Sequence, residues 1–142
     1  MSSVLPERLK TLRPGDKLPE RSFCPDNVQL MLYNAAIWNG HRIHFDIPYA
    51  RDVEGYPGLV IAGPLLGDWL HQCLTEWLGD DGHIQSIQYS NRIASYIGET
   101  LVSGGEVLAV DSDARTADVR VFVRNEAGEE ITPGTAVVAF HA

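Results

Sequence analysis

One long helical pattern constrains the fold of this chain more than any other feature. Apolar residues recur at three- and four-residue spacing over 65–78, which gives one helix a wide apolar stripe. They are Leu65, Leu66, Trp69, Leu70, Cys73, Leu74, Trp77 and Leu78. Gly79 is placed to end the helix, and the apolar residues 59–62 precede it. The pattern predicts a deeply buried helix that the rest of the chain must cover.

The chain after Gly82 has the composition of β-strands. Segments rich in Val, Ile, Thr, Tyr and Phe occur at 84–89, 92–97, 100–110, 116–124 and 135–141. Turn residues separate them at 98–99, 104–105, 111–113, 125–128 and 133–134. The turns at 111–113 and 127–128 predict hairpins. A helix followed by mostly antiparallel strands predicts an α+β fold in which the sheet wraps around the helix.

The N-terminal segments give weaker signals. Residues 1–20 contain three prolines and a predicted turn at 13–16, so we expect an N-terminal arm with a short strand after Leu18. Asp26 is a candidate N-cap for 28–35, whose apolar residues fit a helix and a strand equally well.

Length and charge limit the classes of function. The chain has 142 residues and no visible linker or repeat, which predicts a single domain over 1–142. The formal net charge of -8, with the 11 Lys and Arg residues scattered, argues against a nucleic-acid partner.

No run reaches the roughly 18 apolar residues of a membrane span, and no signal peptide is recognisable, so we expect no membrane partner and a cytoplasmic location. Cys24 and Cys73 lack zinc-ligand spacing and are expected to be buried free thiols.

The stretch 39–46, Asn-Gly-His-Arg-Ile-His-Phe-Asp, concentrates polar groups that carry chemistry. His44 is the first candidate, because an imidazole gains and loses a proton near neutral pH. The alternative is an imidazole held structurally by a backbone carbonyl. Asn39 is able to orient a water or a carbonyl through its amide, which donates and accepts, or simply to form a turn with Gly40.

Three further residues of this stretch have open roles. His41, Arg42 and Asp46 are candidates for ligands, anion contacts or supports of the first two residues. The spacing of His41, His44 and Asp46 matches no established zinc pattern, so no metal is expected.

Gly63 lies at the predicted start of the buried helix, since Pro64 suits the first helical position. Free backbone N–H groups and the helix dipole favour an oxygen that carries developing negative charge at such a place. The alternative is that a small residue is needed there for packing.

These residues together resemble the MaoC-type acyl dehydratases, which have the hotdog fold. The string 39–46 is followed by Tyr49-Ala50 and by Glu54-Gly-Tyr-Pro-Gly-Leu-Val-Ile-Ala-Gly-Pro-Leu65. Within that family it is similar to the branch of 3-hydroxyacyl-thioester dehydratases and mesaconyl-CoA-hydratase-like proteins. The resemblance implies a single hotdog domain that pairs with a second copy or with another hotdog protein.

The resemblance also implies a reaction, the reversible addition of water to a 2-enoyl thioester of CoA or acyl carrier protein, usually with R stereochemistry and without a cofactor. His44 takes the position of the family's catalytic histidine and Gly63 that of its oxyanion-binding glycine, while Asn39 stands where the family keeps an aspartate. His44 would then act alone as base in hydration and acid in dehydration, with Asn39 orienting the water.

The expected substrate contacts are Tyr33, Trp38, Arg42 and Asp46, with Leu30 and the buried helix also lining an acyl tunnel. The alternatives are a hotdog thioesterase and a non-catalytic acyl-thioester-binding partner subunit. The string 39–46 disfavours the thioesterase. Asn39, and Ala62 where the family often has a histidine, leave the partner subunit open.

Overall fold

The computed structural model describes residues 5–142 as an antiparallel sheet packed on one long helix. The helices are α1 (Glu7–Thr11), α2 (Asn27–Ala36) and α3 (Gly63–Leu78), with a 3-10 turn at Arg42–His44 and a π-helical turn at Tyr49–Val53. The strands are β1 (Lys17–Phe23), β2 (Gly82–Tyr89), β3 (Leu101–Asp111), β4 (Thr116–Arg124) and β5 (Glu130–Phe140). They are ordered β1-β3-β4-β5-β2, each antiparallel to its neighbours.

The central helix α3 confirms the main sequence prediction, although it begins two residues earlier than the apolar pattern, at Gly63. Pro64 occupies the first turn, where its missing N–H costs no hydrogen bond. Gly79 ends the helix with a positive φ of 55°, a conformation that glycine adopts without a steric penalty. The α+β prediction is therefore confirmed.

The core lies between α3 and one face of the sheet. Trp69, Leu70 and Leu74 of α3 are buried, and they belong to the same apolar cluster as buried valines of the sheet. Those valines are Val107, Val119, Val121, Val123 and Val138. Phe23 of β1 stacks on Trp69 with ring centroids 4.1 Å apart. Burial on this scale fixes α3, and with it the position of Gly63.

The segment 28–35, which the sequence left undecided, is helical. The Asp26 side chain accepts a hydrogen bond from the backbone N–H of Gln29 at 2.8 Å, which confirms its role as N-cap. Leu30 and Asn34 of α2 face inward, whereas Val28, Met31 and Leu32 are exposed.

The predicted N-terminal arm is more ordered than expected. Of residues 1–20, the described part contains α1 and the beginning of β1, while residues 1–4 lie outside the described residues. The predicted strand near Leu18 is confirmed and runs from Lys17 to Phe23. Cys73 is buried but Cys24 is exposed, so the prediction of two buried thiols was wrong for Cys24.

Three predictions about the sheet were wrong. The segment 92–97 forms only an isolated bridge, between Tyr96 and Val60, because it crosses from β2 toward the loop ahead of α3. The glycines at 104–105 and 134 were predicted as turns but lie inside β3 and β5. A Cβ on Gly105 would lie 2.6 Å from the carbonyl oxygen of Arg120, so this glycine serves a close approach of strands. The hairpins after Asp111 and Arg124 are confirmed.

No helix in the part of the chain from residue 5 onward combines the length and the apolar character that a membrane crossing needs.

Replacing Gly105 with Ala is expected to lower the free energy of unfolding by about 1–3 kcal/mol, the usual range for overpacking a core. The added methyl group would collide with the backbone of β4, which cannot move without disturbing the sheet. Urea unfolding of the purified protein measures the change.

The matched control is Gly58→Ala, because a Cβ at Gly58 meets nothing within 4 Å. The control should stay within about 0.5 kcal/mol of the wild type. Equal losses in the two variants would contradict the packing explanation for Gly105.

Candidate active site

His44 is held in one orientation by the loop that leads into α3. The residue ends the 3-10 turn, is 7% exposed, and its Nδ1 lies 2.7 Å from the carbonyl oxygen of Val60. The N–H of Val60 in turn donates to the carbonyl of Ile43 at 3.0 Å. A carbonyl only accepts hydrogen bonds, so Nδ1 must carry the proton. The neutral ring therefore has its lone pair on Nε2, which bonds to none of the described residues.

Burial lowers the pKa of His44 below the ordinary histidine value, because desolvation penalises the imidazolium. The hydrogen bond to Val60 opposes this shift, and the nearby His41 adds a smaller lowering effect. The rings of His41 and His44 meet edge to face, with centroids 5.9 Å apart. His44 is consequently a neutral base at physiological pH, as proton abstraction from water requires.

The N–H of Gly63, at the start of α3, is a candidate backbone donor. Val60, the partner of His44, precedes Gly63 by three residues, and Ala62 between them is fully buried. The N–H groups of Leu65 and Leu66 both bond to the carbonyl of Ala62, and Pro64 has no N–H. Among the described residues, none accepts from Gly63 N–H. An anionic oxygen at this place would gain from that donor and from the helix dipole.

The end of α2 positions Asn39. Trp38 adopts a left-handed φ of 57°, with its N–H bonded to Ala35 at 3.2 Å and the N–H of Asn39 bonded to Asn34 at 2.8 Å. This pair of bonds is a Schellman motif, which fixes where the chain leaves a helix. Oδ1 of Asn39 accepts from the N–H of His41 at 3.1 Å. The amide thus forms the turn considered from the sequence, and its Nδ2 remains available as a donor.

Arg42 and Asp46 bind each other. Both Nε and Nη2 of Arg42 donate to one carboxylate oxygen of Asp46, at 3.0 and 2.8 Å, and the guanidinium lies 4.2 Å from the ring centroid of Tyr49. The other oxygen of Asp46 accepts from the N–H of Tyr49, and this bond, followed by those from Arg42, lowers the pKa of Asp46. The two side chains therefore brace the loop between His44 and the π-helical turn. A role in binding substrate stays a prediction.

An apolar cavity of about 440 Å³ opens beside Asn39. It is lined by Met31, Asn34, Ala35, Trp38, Asn39, Gly40 and Phe45. Trp38 lines this cavity, although 95% of it is exposed, and its contact with substrate stays a prediction. Tyr33 is directed elsewhere: its hydroxyl donates to Asp68 of α3 at 2.9 Å, and burial together with this bond raises the pKa of Tyr33. Leu30 is fully buried in the core.

Sequence reasoning missed several of these features. The role of Val60 depends on its backbone carbonyl, so its residue type gave no indication of it. Met31 and Phe45 were missed because, in a sequence pattern, they resemble ordinary core residues. Asn91 lies between the predicted strands 84–89 and 92–97 and was assigned no role, yet its amide approaches Gly63. No group of three or more His, Cys, Asp or Glu side chains within residues 5–142 is arranged to hold a metal ion.

Solved structures confirm the hotdog fold. The (R)-hydratase from A. caviae involved in PHA biosynthesis superposes with a TM-score of 0.85 at 20% identity, over 93% of this chain and 99% of that one. A chain of the ChsH1-ChsH2 complex from Mycobacterium tuberculosis gives a TM-score of 0.81 at 22% identity, over 91% and 98% of the two chains. At these identities the likeness concerns the fold.

Sequence comparison gives the family. The model for hydroxyacyl-thioester dehydratase type 2 matches residues 6–97, more than half of the chain. The protein belongs to this MaoC-like family. The mesaconyl-C(4)-CoA hydratase of Chloroflexus aurantiacus is 52% identical over 46 residues, which are 32% of this chain and 16% of that protein. The matches to curated relatives span 16% to 28% of the relatives' own lengths.

His44 is expected to titrate below the ordinary histidine pKa of about 6.5 and to carry its single proton on Nδ1 when neutral, since it is desolvated and bonded to Val60. NMR of nitrogen-labelled histidine across a pH series measures both properties. The spectrum of a His44→Gln variant assigns the signal by difference. A pKa at or above the ordinary value, or a proton on Nε2 in the neutral form, would contradict the site geometry.

Proposed function

We propose that this protein adds water reversibly to a 2-enoyl thioester, giving the 3-hydroxyacyl thioester. One observation carries the proposal: a buried neutral imidazole is fixed through Nδ1 by the carbonyl of Val60, three residues before Gly63, whose N–H bonds to no acceptor among the described residues. The family supports the same chemistry, since its members are hydroxyacyl-thioester dehydratases.

The proposed hydration step uses His44 as the base. Nε2 accepts a proton from water while the water oxygen bonds to the β-carbon, and electron density moves to the thioester oxygen near Gly63 N–H. The imidazolium then returns a proton to the α-carbon, which restores neutral His44 and the thioester carbonyl. Dehydration reverses these steps. The donor at Gly63 is most useful in the transition state, when the oxygen is most negative.

Asn39 would orient the water in this mechanism. Its Oδ1 is occupied by His41 N–H, so Nδ2 is the group that faces a polar ligand. An amide cannot accept a proton as a carboxylate does, which leaves His44 as the only base of the pair. The adjacent cavity, apolar apart from two Asn side chains and backbone groups, would take the acyl group.

The finer features are also proposals. R stereochemistry and CoA linkage agree with the (R)-hydratase and CoA hydratase names among the similar proteins. A single hotdog domain that pairs with a second copy or another hotdog agrees with the ChsH1-ChsH2 complex and with the free edge of β2. Cytoplasmic location stays a prediction. Mass measurement in solution, alone and with candidate hotdog partners, tests the pairing.

Replacing His44 with Ala is expected to lower kcat for enoyl-CoA hydration by at least about 100-fold, the usual lower value for a general base. Loss of absorbance of the conjugated thioester measures turnover, and a parallel assay for free thiol detects any thioesterase activity. Wild-type activity should fall on the acid side as pH drops through the lowered pKa of His44, because only the neutral ring abstracts a proton.

The matched control is His83→Ala, because His83 is exposed on β2 and pairs with His141. It should retain wild-type turnover. An active His44→Ala enzyme would overturn the assignment. Tight binding of acyl-CoA without turnover in the wild type, alone and with partners, would instead indicate a non-catalytic subunit.

Asn39→Ala is expected to reduce kcat by about 10- to 100-fold, because the water loses its orienting group. Asn39→Asp should retain turnover, since one carboxylate oxygen still accepts from His41 N–H and the other is able to accept a proton from water. Steady-state hydration kinetics of the two variants provide the comparison. Wild-type rates in Asn39→Ala would show that this amide only forms the turn.

A further inference from the structure

The segment that follows β2 brings Asn91 to the start of α3 on a fixed backbone. The N–H of Ser90 donates to the carbonyl of Pro133 at 3.2 Å, and that of Arg92 donates to the carbonyl of Ile131 at 2.9 Å. Both acceptors belong to β5, the strand beside β2. Asn91 thus lies between two anchored neighbours.

A buried hydroxyl orients the side chain of Asn91. Thr132, which is fully buried, has its Oγ1 2.9 Å from Oδ1 of Asn91. With Oδ1 accepting from that hydroxyl, Nδ2 is turned toward α3, where a Cβ added to Gly63 would lie only 2.5 Å away. No hydrogen-bond acceptor for Nδ2 occurs among residues 5–142. Asn91 is exposed, so its amide is a donor at the helix start that a ligand can reach from solvent.

The same contact favours a small residue at position 63. A Cβ there would displace the amide of Asn91, whose nearest three atoms to the added Cβ all lie within 4 Å. The sequence offered two reasons for Gly63, packing of a small residue and binding of an anionic oxygen. The contact with Asn91 bears on both. The absent Cβ leaves room for the amide beside the backbone of Gly63.

We propose that Nδ2 of Asn91 is a second hydrogen-bond donor to the thioester carbonyl oxygen, beside the N–H of Gly63. The inference rests on the proposed hydration reaction. Few other backbone donors are available at the start of α3. Pro64 has no N–H, and the N–H groups of Leu65 and Leu66 bond to the carbonyl of Ala62. A second donor at this oxygen stabilises the charge that grows there in the transition state.

Asn91→Ala is expected to lower kcat about 100-fold with little change in KM, as for other oxyanion donors. Asn91→Asp should lose more, because its carboxylate still accepts from Thr132 but places negative charge beside the reacting oxygen. Thr132→Val should lose less than Asn91→Ala, since it frees the amide without removing it. Ser90→Ala, in the same segment, is the control and should keep wild-type rates. Thermal unfolding checks that every variant is folded.

A spectroscopic readout separates this inference from the proposed function. Isotope-labelled hexanoyl-CoA lacks the double bond and cannot be hydrated, yet its thioester carbonyl would occupy the same place. The infrared carbonyl stretch should fall when it binds the wild type and move back upward in Asn91→Ala.

Three outcomes of the turnover and infrared measurements distinguish the two proposals. Turnover by the wild type with an unchanged kcat and carbonyl frequency in Asn91→Ala overturns the role of Asn91 alone. An Asn91-dependent carbonyl shift without turnover supports the contact and overturns the hydratase proposal. No turnover and no shift in the wild type overturns both.

Discussion

The hydrogen bond between Nδ1 of His44 and the carbonyl of Val60 is the constraint on which the site depends. It joins the polar stretch 39–46 to the chain that enters α3, and it selects the tautomer of the ring. Without it, a half-buried loop would leave the imidazole free to rotate, and either nitrogen could carry the proton. With it, Nε2 carries the lone pair and is held in position to accept a proton, and burial keeps the ring neutral.

The rest of the fold supports that bond from two sides. The apolar stripe of α3, centred on Trp69 and Leu70, fixes the helix against the sheet and so fixes the residues just ahead of it. The N–H of Ile61 bonds to the carbonyl of Ser95, and Val60 bridges to Tyr96, so the loop is also tied to the crossing segment after β2. Asp46 and Arg42 brace the other side, through Tyr49.

The central helix and the family could be predicted from the sequence. The backbone contacts that position individual side chains could not. The three/four spacing over 65–78 is a strong signal because a wide stripe has few ways to be buried. The glycines at 104–105 and 134 were misread, since a glycine in a turn and one under a neighbouring strand look alike until the partner strand is known. The residue type alone made His44 a candidate. Its partner Val60 could not be predicted, because it acts through a backbone carbonyl, which every residue has.

The use of amides where a carboxylate would be possible has a physical consequence for the proposed reaction. A carboxylate at position 39 would supply a second base but would also place negative charge near an oxygen that becomes more negative in the transition state. In the proposed mechanism, Asn39 and Asn91 would instead add donors without charge. Arg42, the cation of the stretch, is already neutralised by Asp46. The proposed mechanism would then depend on one neutral base and on aligned dipoles. In a low-polarity setting, such dipoles are most effective when they are already oriented before the charge appears.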